Sequence, residues 1–347
     1  MYIKKILLAI LLLGLIAGGV FAYMVYNTFF TPNTNFNNEE AFVYIGSNDS
    51  FADVKEQMAP LLHNVEAFQK AAERKGYASN IKGGKYRISK GMNNNDIINN
   101  LRVNNIPVKV SFNNQESTAS LAGRIAEQIE ADSLSLLISF NDSEFLQQNG
   151  FNEDNKLSLF IPNSYEFFWN TSAEQFRERM LKEYKRFWNA DRIAKAKAQN
   201  MTPNEVVALA SIVQKETAKV DERPKVAGLY LNRLRNGMLL QADPTVIYAI
   251  KKETGNFDTI IKRVLYKDLE INSPYNTYKN TGVPPGPITM PDISSVDAIL
   301  NPETHRYLYM VANVENFGYH MFAEDMAQHN RNKEQYIRWL NKQKINR

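Results

Sequence analysis

Among the acidic side chains of this sequence, Glu216 stands where a carboxyl can act as a proton donor. It closes the stretch Thr202–Glu216 (TPNEVVALASIVQKE), whose start is written as a helix. Thr202 is a capping residue, Pro203 fits the first helical position, and Glu205 completes a capping box three residues on. Val206, Leu209, Ala210 and Val213 recur at helical spacing and form an apolar stripe. At about 100° per residue Glu216 falls on the line of that stripe, and Gln214 points to the far side. A carboxyl on a packing face is partly desolvated, and loss of water raises its pKa toward what a general acid needs near neutrality. A bland role is open to the same residue: most carboxylates at helix ends are solvated charges, and Lys215 or Lys219 could pair with it. Asp243 is the other carboxylate of interest. Its Asp-Pro context predicts a helix cap, and the alternative is the second acid of a hydrolytic glycosidase.

The neighbours of Glu216 sharpen the choice. Ala210–Thr217 (ASIVQKET), Val226–Leu234 (VAGLYLNRL), Leu240–Tyr248 (LQADPTVIY), Ser273–Tyr278 (SPYNTY), Gly282–Ile288 (GVPPGPI) and Tyr319–Phe322 (YHMF), with His329 and Asn330 behind, occur in order along the chain. Together they resemble the endolytic murein transglycosylases of the YceG-like family. Upstream the likeness is looser but still covers most of the chain. The resemblance implies that Glu216 is the catalytic acid of an enzyme cleaving the bond between N-acetylmuramic acid and N-acetylglucosamine in nascent glycan strands. It implies 1,6-anhydro ends, a role in terminating glycan elongation, and peptidoglycan synthases as partners. Two departures stand out: Gln214 occupies a position where many relatives carry Glu, and Asn163-Ser164 replace an Asp-Thr pair. Gln cannot donate a proton, so the first departure leaves Glu216 without a competitor on its turn. A non-catalytic, LysM-like scaffold that binds peptidoglycan is the alternative from another class, and it would need no acid on this helix.

Substrate contacts are expected from residues that offer amides and ring faces to an N-acetylated sugar. Asn272–Ile288, rich in Pro and Gly, supplies Tyr275, Asn276 and Tyr278 on a loop that its prolines stiffen. Gln241 sits in the turn before Asp243, and Asn232 with Arg233 forms a polar pair on the helix Lys225–Arg235, ended by Gly237.

The elements that must position these residues follow an α+β pattern: an N-terminal transmembrane helix, a LysM-like module and a C-terminal mixed α/β catalytic domain of the YceG-like kind. The expected boundaries are 1–30 for the anchor, 31–40 for a polar linker, 41–106 for the module and 107–347 for a connecting region with the catalytic domain. After Lys4 and Lys5 the chain runs uncharged past Tyr26, long enough to span a bilayer. The two lysines place the N-terminus in the cytoplasm and the rest of the chain outside the cytoplasmic (inner) membrane. A cleaved leader is the alternative, with small residues at Gly19–Ala22, and the length of the apolar run favours the anchor. Strands over Phe42–Ile45 and Gly84–Ile88, each followed by a helix, make up the module. Whether it holds glycan or serves as a packed spacer is open. The aromatic cluster Tyr165–Trp169 is expected in the core.

Composition excludes other classes. With 347 residues and 44% hydrophobic content the chain can bury more than one core, and a net charge of +4 suggests no nucleic-acid partner. Without cysteine there are no disulfides, lipid-bearing cysteines or thiolate metal sites. The four histidines lack metal-ligand spacing, so neither a metal nor another cofactor is expected.

Overall fold

Residues 2–343 are described by the computed structural model. In chain order the elements are α1 (Tyr2–Phe29), β1 (Glu40–Ile45), α2 (Phe51–Met58), α3 (Val65–Arg74), β2 (Gly84–Ser89), α4 (Asn94–Val103), β3 (Pro107–Phe112), α5 (Thr118–Ala126), α6 (Ser133–Phe140), α7 (Ser143–Gln148), β4 (Asn163–Phe168), α8 (Ala173–Phe187), α9 (Ala190–Ala198), α10 (Pro203–Glu216), α11 (Arg223–Arg235), α12 (Asp243–Thr254), α13 (Ile293–Leu300), β5 (Tyr309–Ala312), β6 (His320–Ala323) and α14 (Met326–Lys342). They divide into two units, one holding the chain up to Val110 with Gln128–Ala131 and Tyr165–Ser172, the other holding the remainder.

In the first unit, α1 is 28 residues long with no buried residue and contains an 18-residue stretch of mean hydropathy 2.6, long and apolar enough to cross a membrane. β1 and β2 pair antiparallel, Val43 opposite Tyr86 and Ile45 opposite Gly84. Alternation sends Val43, Ile45, Tyr86 and Ile88 into a core closed by Phe68, Ile97 and Leu101. Phe42 and Tyr44 stay on the outer face with Lys85 above both rings. The stretch Thr31–Asn38 is not the free linker its polar composition predicts. Pro32 and Thr34 bridge to Asn93 and Leu62, and Asn33 is buried. Its Nδ2 donates to Asn94 Oδ1 at 2.7 Å, and its Oδ1 accepts from Asn64 N at 2.7 Å. The amide thereby pairs the backbone N–H of Asn64, which caps α3, and holds the Asn94 side chain at the start of α4. The aromatic cluster also differs from expectation. It lies on and just after strand β4, so Phe167 is buried while Phe168 points to solvent.

The second unit is built around α10. Its capping box forms as read: Glu205 N donates to Thr202 Oγ1, and Thr202 N to Glu205 Oε2 at 2.7 Å. Instead of one buried stripe, every residue from Val206 to Val213 is buried, because α9, α11, α12 and α13 all pack on this helix. Such an all-round core helix is rigid, and Glu216 at its end inherits that rigidity. α11 approaches closely because Gly228 has no side chain; a Cβ there would stand 2.5 Å from Glu303 O. Gly237, in the left-handed region at φ 64°, ends α11 as expected. β5 and β6 form an antiparallel pair with Val311 opposite Met321, and α14 packs on both strands.

Candidate active site

Glu216 opens onto a cavity of about 250 Å³, all of whose lining belongs to the second unit. One turn of α11 brings Tyr230 and Arg233 to it, three residues apart on one helical face. Gln241 and Asp243 come from the start of α12, Tyr278 from the loop, Met310–Ala312 from β5 and His320 from β6.

The carboxyl of Glu216 is fixed by one short bond, Tyr230 Oη donating to its Oε1 at 2.8 Å. Burial raises the pKa of Glu216 above the ordinary carboxyl value. The Tyr230 bond and the neighbouring His320 and Arg233 oppose that rise, and the negative charge of Asp243 adds to it. Burial beside Glu216 also holds the Tyr230 hydroxyl well above its usual range, so it stays a donor. Gln214 turns away as expected, its Oε1 accepting from Ser295 Oγ at 2.7 Å. Glu216 is thus the one carboxyl on its turn, held by Tyr230 at the edge of the cavity.

Asp243 is not the cap that its Asp-Pro context predicts. Ala242 occupies the capping position, no side chain caps α12, and Asp243 is the first helical residue. Its carboxylate faces the cavity, accepting from Tyr278 Oη at 2.5 Å. A first-turn carboxylate still profits from the helix dipole, which leaves its oxygens free for this other partner.

Of the expected sugar contacts, the fold brings Gln241 and Tyr278 to the cavity with Glu216. Gln241 is exposed and held at φ 50°, a strained conformation for a residue with a side chain. Its backbone N–H donates to Thr277 O at 3.1 Å, tying the turn to the loop. Three others lie elsewhere. Asn276 is fully buried and spends its amide on Leu269 O and Ile271 O at 2.8 and 2.9 Å. Tyr275 is fully buried, with its hydroxyl donating to Asp154 O at 3.2 Å. Asn232 donates to His305 O at 2.8 Å and Tyr307 O at 3.2 Å. In each case the polar group is consumed by backbone, so these residues shape the loop and its surroundings instead of meeting a ligand. Three residues given no catalytic part by the sequence belong to the site. In the sequence Tyr230 reads as one of the inward residues of its helix, and its three-residue spacing from Arg233 is the available signal. Arg233, buried, donates to Leu308 O and Leu240 O at 2.6 and 2.8 Å, joining β5 to the Gln241 turn. His320 presents Nδ1 to Glu222 Oε2 at 3.0 Å, and Glu222 Oε1 accepts from His320 N at 2.7 Å. Although burial raises Glu222, the bonds from His320 bring its pKa below the ordinary value, so it stays ionised behind the ring. Among the described residues no three His, Asp or Glu side chains are grouped to hold a metal ion.

Comparison with known proteins places this arrangement in a wider set. Residues 43–335 match the YceG-like family. The chain is 32% identical over 294 residues to an endolytic murein transglycosylase of Bacillus subtilis, covering 80% of this chain and 79% of that one. It is 26% identical over 358 aligned positions to an endolytic murein transglycosylase of Streptococcus pneumoniae, covering 92% of this chain but only 63% of that longer one. A 2.6 Å crystal structure of a YceG-like protein from Listeria monocytogenes aligns with a TM-score of 0.57 at 28% identity, over 85% of this chain and 99% of that one.

Proposed function

The chain belongs to the YceG-like family, and on that premise we propose that it is an endolytic murein transglycosylase, a lyase that cuts peptidoglycan glycan strands with Glu216 as its acid. The observation that carries this reading is the half-buried Glu216, its carboxyl raised in pKa and held by Tyr230 in a cavity with Gln241, Asp243 and Tyr278. Glu216 protonates the oxygen bridging N-acetylmuramic acid to N-acetylglucosamine. The carboxylate left behind then takes the proton from the C6 hydroxyl of the muramic residue, which closes on C1 and leaves a 1,6-anhydro end. An intramolecular nucleophile needs no captured water and gains the effective molarity of a tethered group. One carboxyl therefore suffices, where hydrolysis uses two. Gln241 and Tyr278 hold the sugars.

A second reading has one specific support: Asp243 lies in the same cavity, so an ordinary muramidase could use it as base or nucleophile. The bond from Tyr278 favours a charge-setting part for Asp243 instead. On our reading α1 anchors the enzyme in the cytoplasmic membrane, with Lys4 and Lys5 inside and the cavity outside, close to newly made strands. Residues 41–106 serve as a LysM-like module and 107–347 carry the catalytic domain. Peptidoglycan synthases, which make the strands being cut, are the natural protein partners. The test is strand length: the full chain in detergent shortens nascent glycan, and the E216Q chain binds the same strands without shortening them. Turnover by E216Q comparable to the parent would remove Glu216 from the mechanism.

A further inference from the structure

A cavity of about 250 Å³ is too small for a polymer, so bound strand must continue beyond it. A second cleft, of about 590 Å³, shares Asp243 and Tyr278 with the catalytic cavity and leads away from it. Its character differs from a sugar site. Leu265, Leu269 and Leu340 give it apolar surface, Tyr266 stands almost fully exposed, and Lys262 and Arg263 are its cations. Neither cation has an ion-pair partner among the described residues, and the one carboxylate lining the cleft, Asp243, is engaged by Tyr278. The contrast with a third cleft is instructive. There Lys215 and Lys251 both pair with Glu116, at 2.5 and 2.7 Å, and Asp258 adds a second carboxylate to the lining. Unpaired cations beside apolar surface select a ligand that is part apolar and part anionic. A neutral sugar is neither.

We propose that this second cleft is the subsite for the peptide stem borne by the muramic residue, with Lys262 and Arg263 receiving the stem's carboxylates. This rests on the glycan-cleaving reading and adds to it a requirement: the enzyme prefers strands that still carry acidic peptides. Planar, forked Arg263 suits a carboxylate in two-point contact, and Lys262 supplies a mobile point charge beside it.

Binding tests this apart from turnover. The full-length chain bearing E216Q, in detergent, is titrated with fluorescein-labelled peptidoglycan strands carrying intact stems, and with the same strands stripped of stems by an amidase. Adding K262E and R263E, both at exposed positions, weakens binding of stem-bearing strands by about tenfold or more, through loss of solvent-open charge-assisted contacts. Rising salt shrinks the difference. K262A with R263A gives a smaller loss in the same direction. Stripped strands bind the altered and unaltered chains alike. Equal weakening on both probes, or none on either, overturns the proposal, as does failure of the E216Q chain to bind stem-bearing strands. Cleavage by the parent chain is measured alongside. Its absence would remove the proposed function while the two-probe comparison still decides for or against the cleft.

Discussion

Tyr230→Phe is the sharpest perturbation of the acid, because it removes one oxygen and leaves the ring that packs α11 in place. The bond lost is the 2.8 Å contact from Tyr230 Oη to Glu216 Oε1. That bond favours the ionised carboxyl, so it pulls down a pKa which burial pushes up. A hydrogen bond to a charged group contributes roughly 1.5–3 kcal/mol, and about 1.4 kcal/mol corresponds to one pKa unit. Water entering from the cavity recovers part of this, leaving a rise of about one unit. The proposed mechanism needs Glu216 protonated to start the reaction, so activity is expected to fall as pH climbs through that pKa. The assay is the pH dependence of kcat/KM for strand cleavage. In the Y230F chain the alkaline limb moves to higher pH by about one unit, and the plateau drops several-fold because the carboxyl has lost its orientation. An alkaline limb that stays in place, or moves down, would refute the assignment of Tyr230 as the group that sets the acid.

Asp243→Asn works in the opposite direction: removing a negative charge that raises Glu216 brings the alkaline limb down, on the order of half a unit, with unchanged product chemistry. Products that switch from anhydro to reducing ends, or activity that vanishes, would instead give Asp243 a direct chemical part. Glu216→Gln should stabilise the fold in a pH-dependent way. Since the folded pKa of Glu216 is raised, its contribution is fully present below the ordinary Glu pKa and is lost as pH rises through the raised value. Parent and E216Q chains therefore melt alike in acid, and the variant pulls ahead by about 1.4 kcal/mol per unit of elevation as the pH increases; a constant difference across pH would contradict the burial of that carboxyl. Gly286→Ala tests the loop, where a Cβ would collide with Asp154 O, a backbone atom that cannot swing aside. A loss of about 1–3 kcal/mol, read from the urea midpoint at unchanged slope, is expected.

Local rules made helix α10 legible. Thr202, Pro203 and Glu205 fixed its start, and period alone put Glu216 on a packing side and Gln214 on the other. What local rules could not supply was the destination of each polar atom. Asn276 and Asn232 are as polar in sequence as Gln241, yet two are spent on backbone carbonyls and one stands in the cavity. Those choices are made by contacts more than 70 residues apart for Asn232, which no window along the chain contains. Asp243 misled for a related reason: the Asp-Pro pair describes a helix start, but a one-residue shift of the start frees the carboxylate for Tyr278. Asn33 was hidden by composition, since a polar stretch reads as solvent-facing until its amide finds the Asn64 N–H and the Asn94 side chain.

The account rests on a single carboxyl performing a reaction whose nucleophile comes from the substrate itself. The most direct measurement is mass spectrometry of the new strand ends made by the full chain in water enriched with heavy oxygen, beside the E216Q chain. The account predicts anhydro-muramic ends free of the heavy isotope from the parent and no new ends from the variant. Reducing ends carrying heavy oxygen would contradict it, because they would mean that water, activated by a second carboxylate such as Asp243, is the nucleophile.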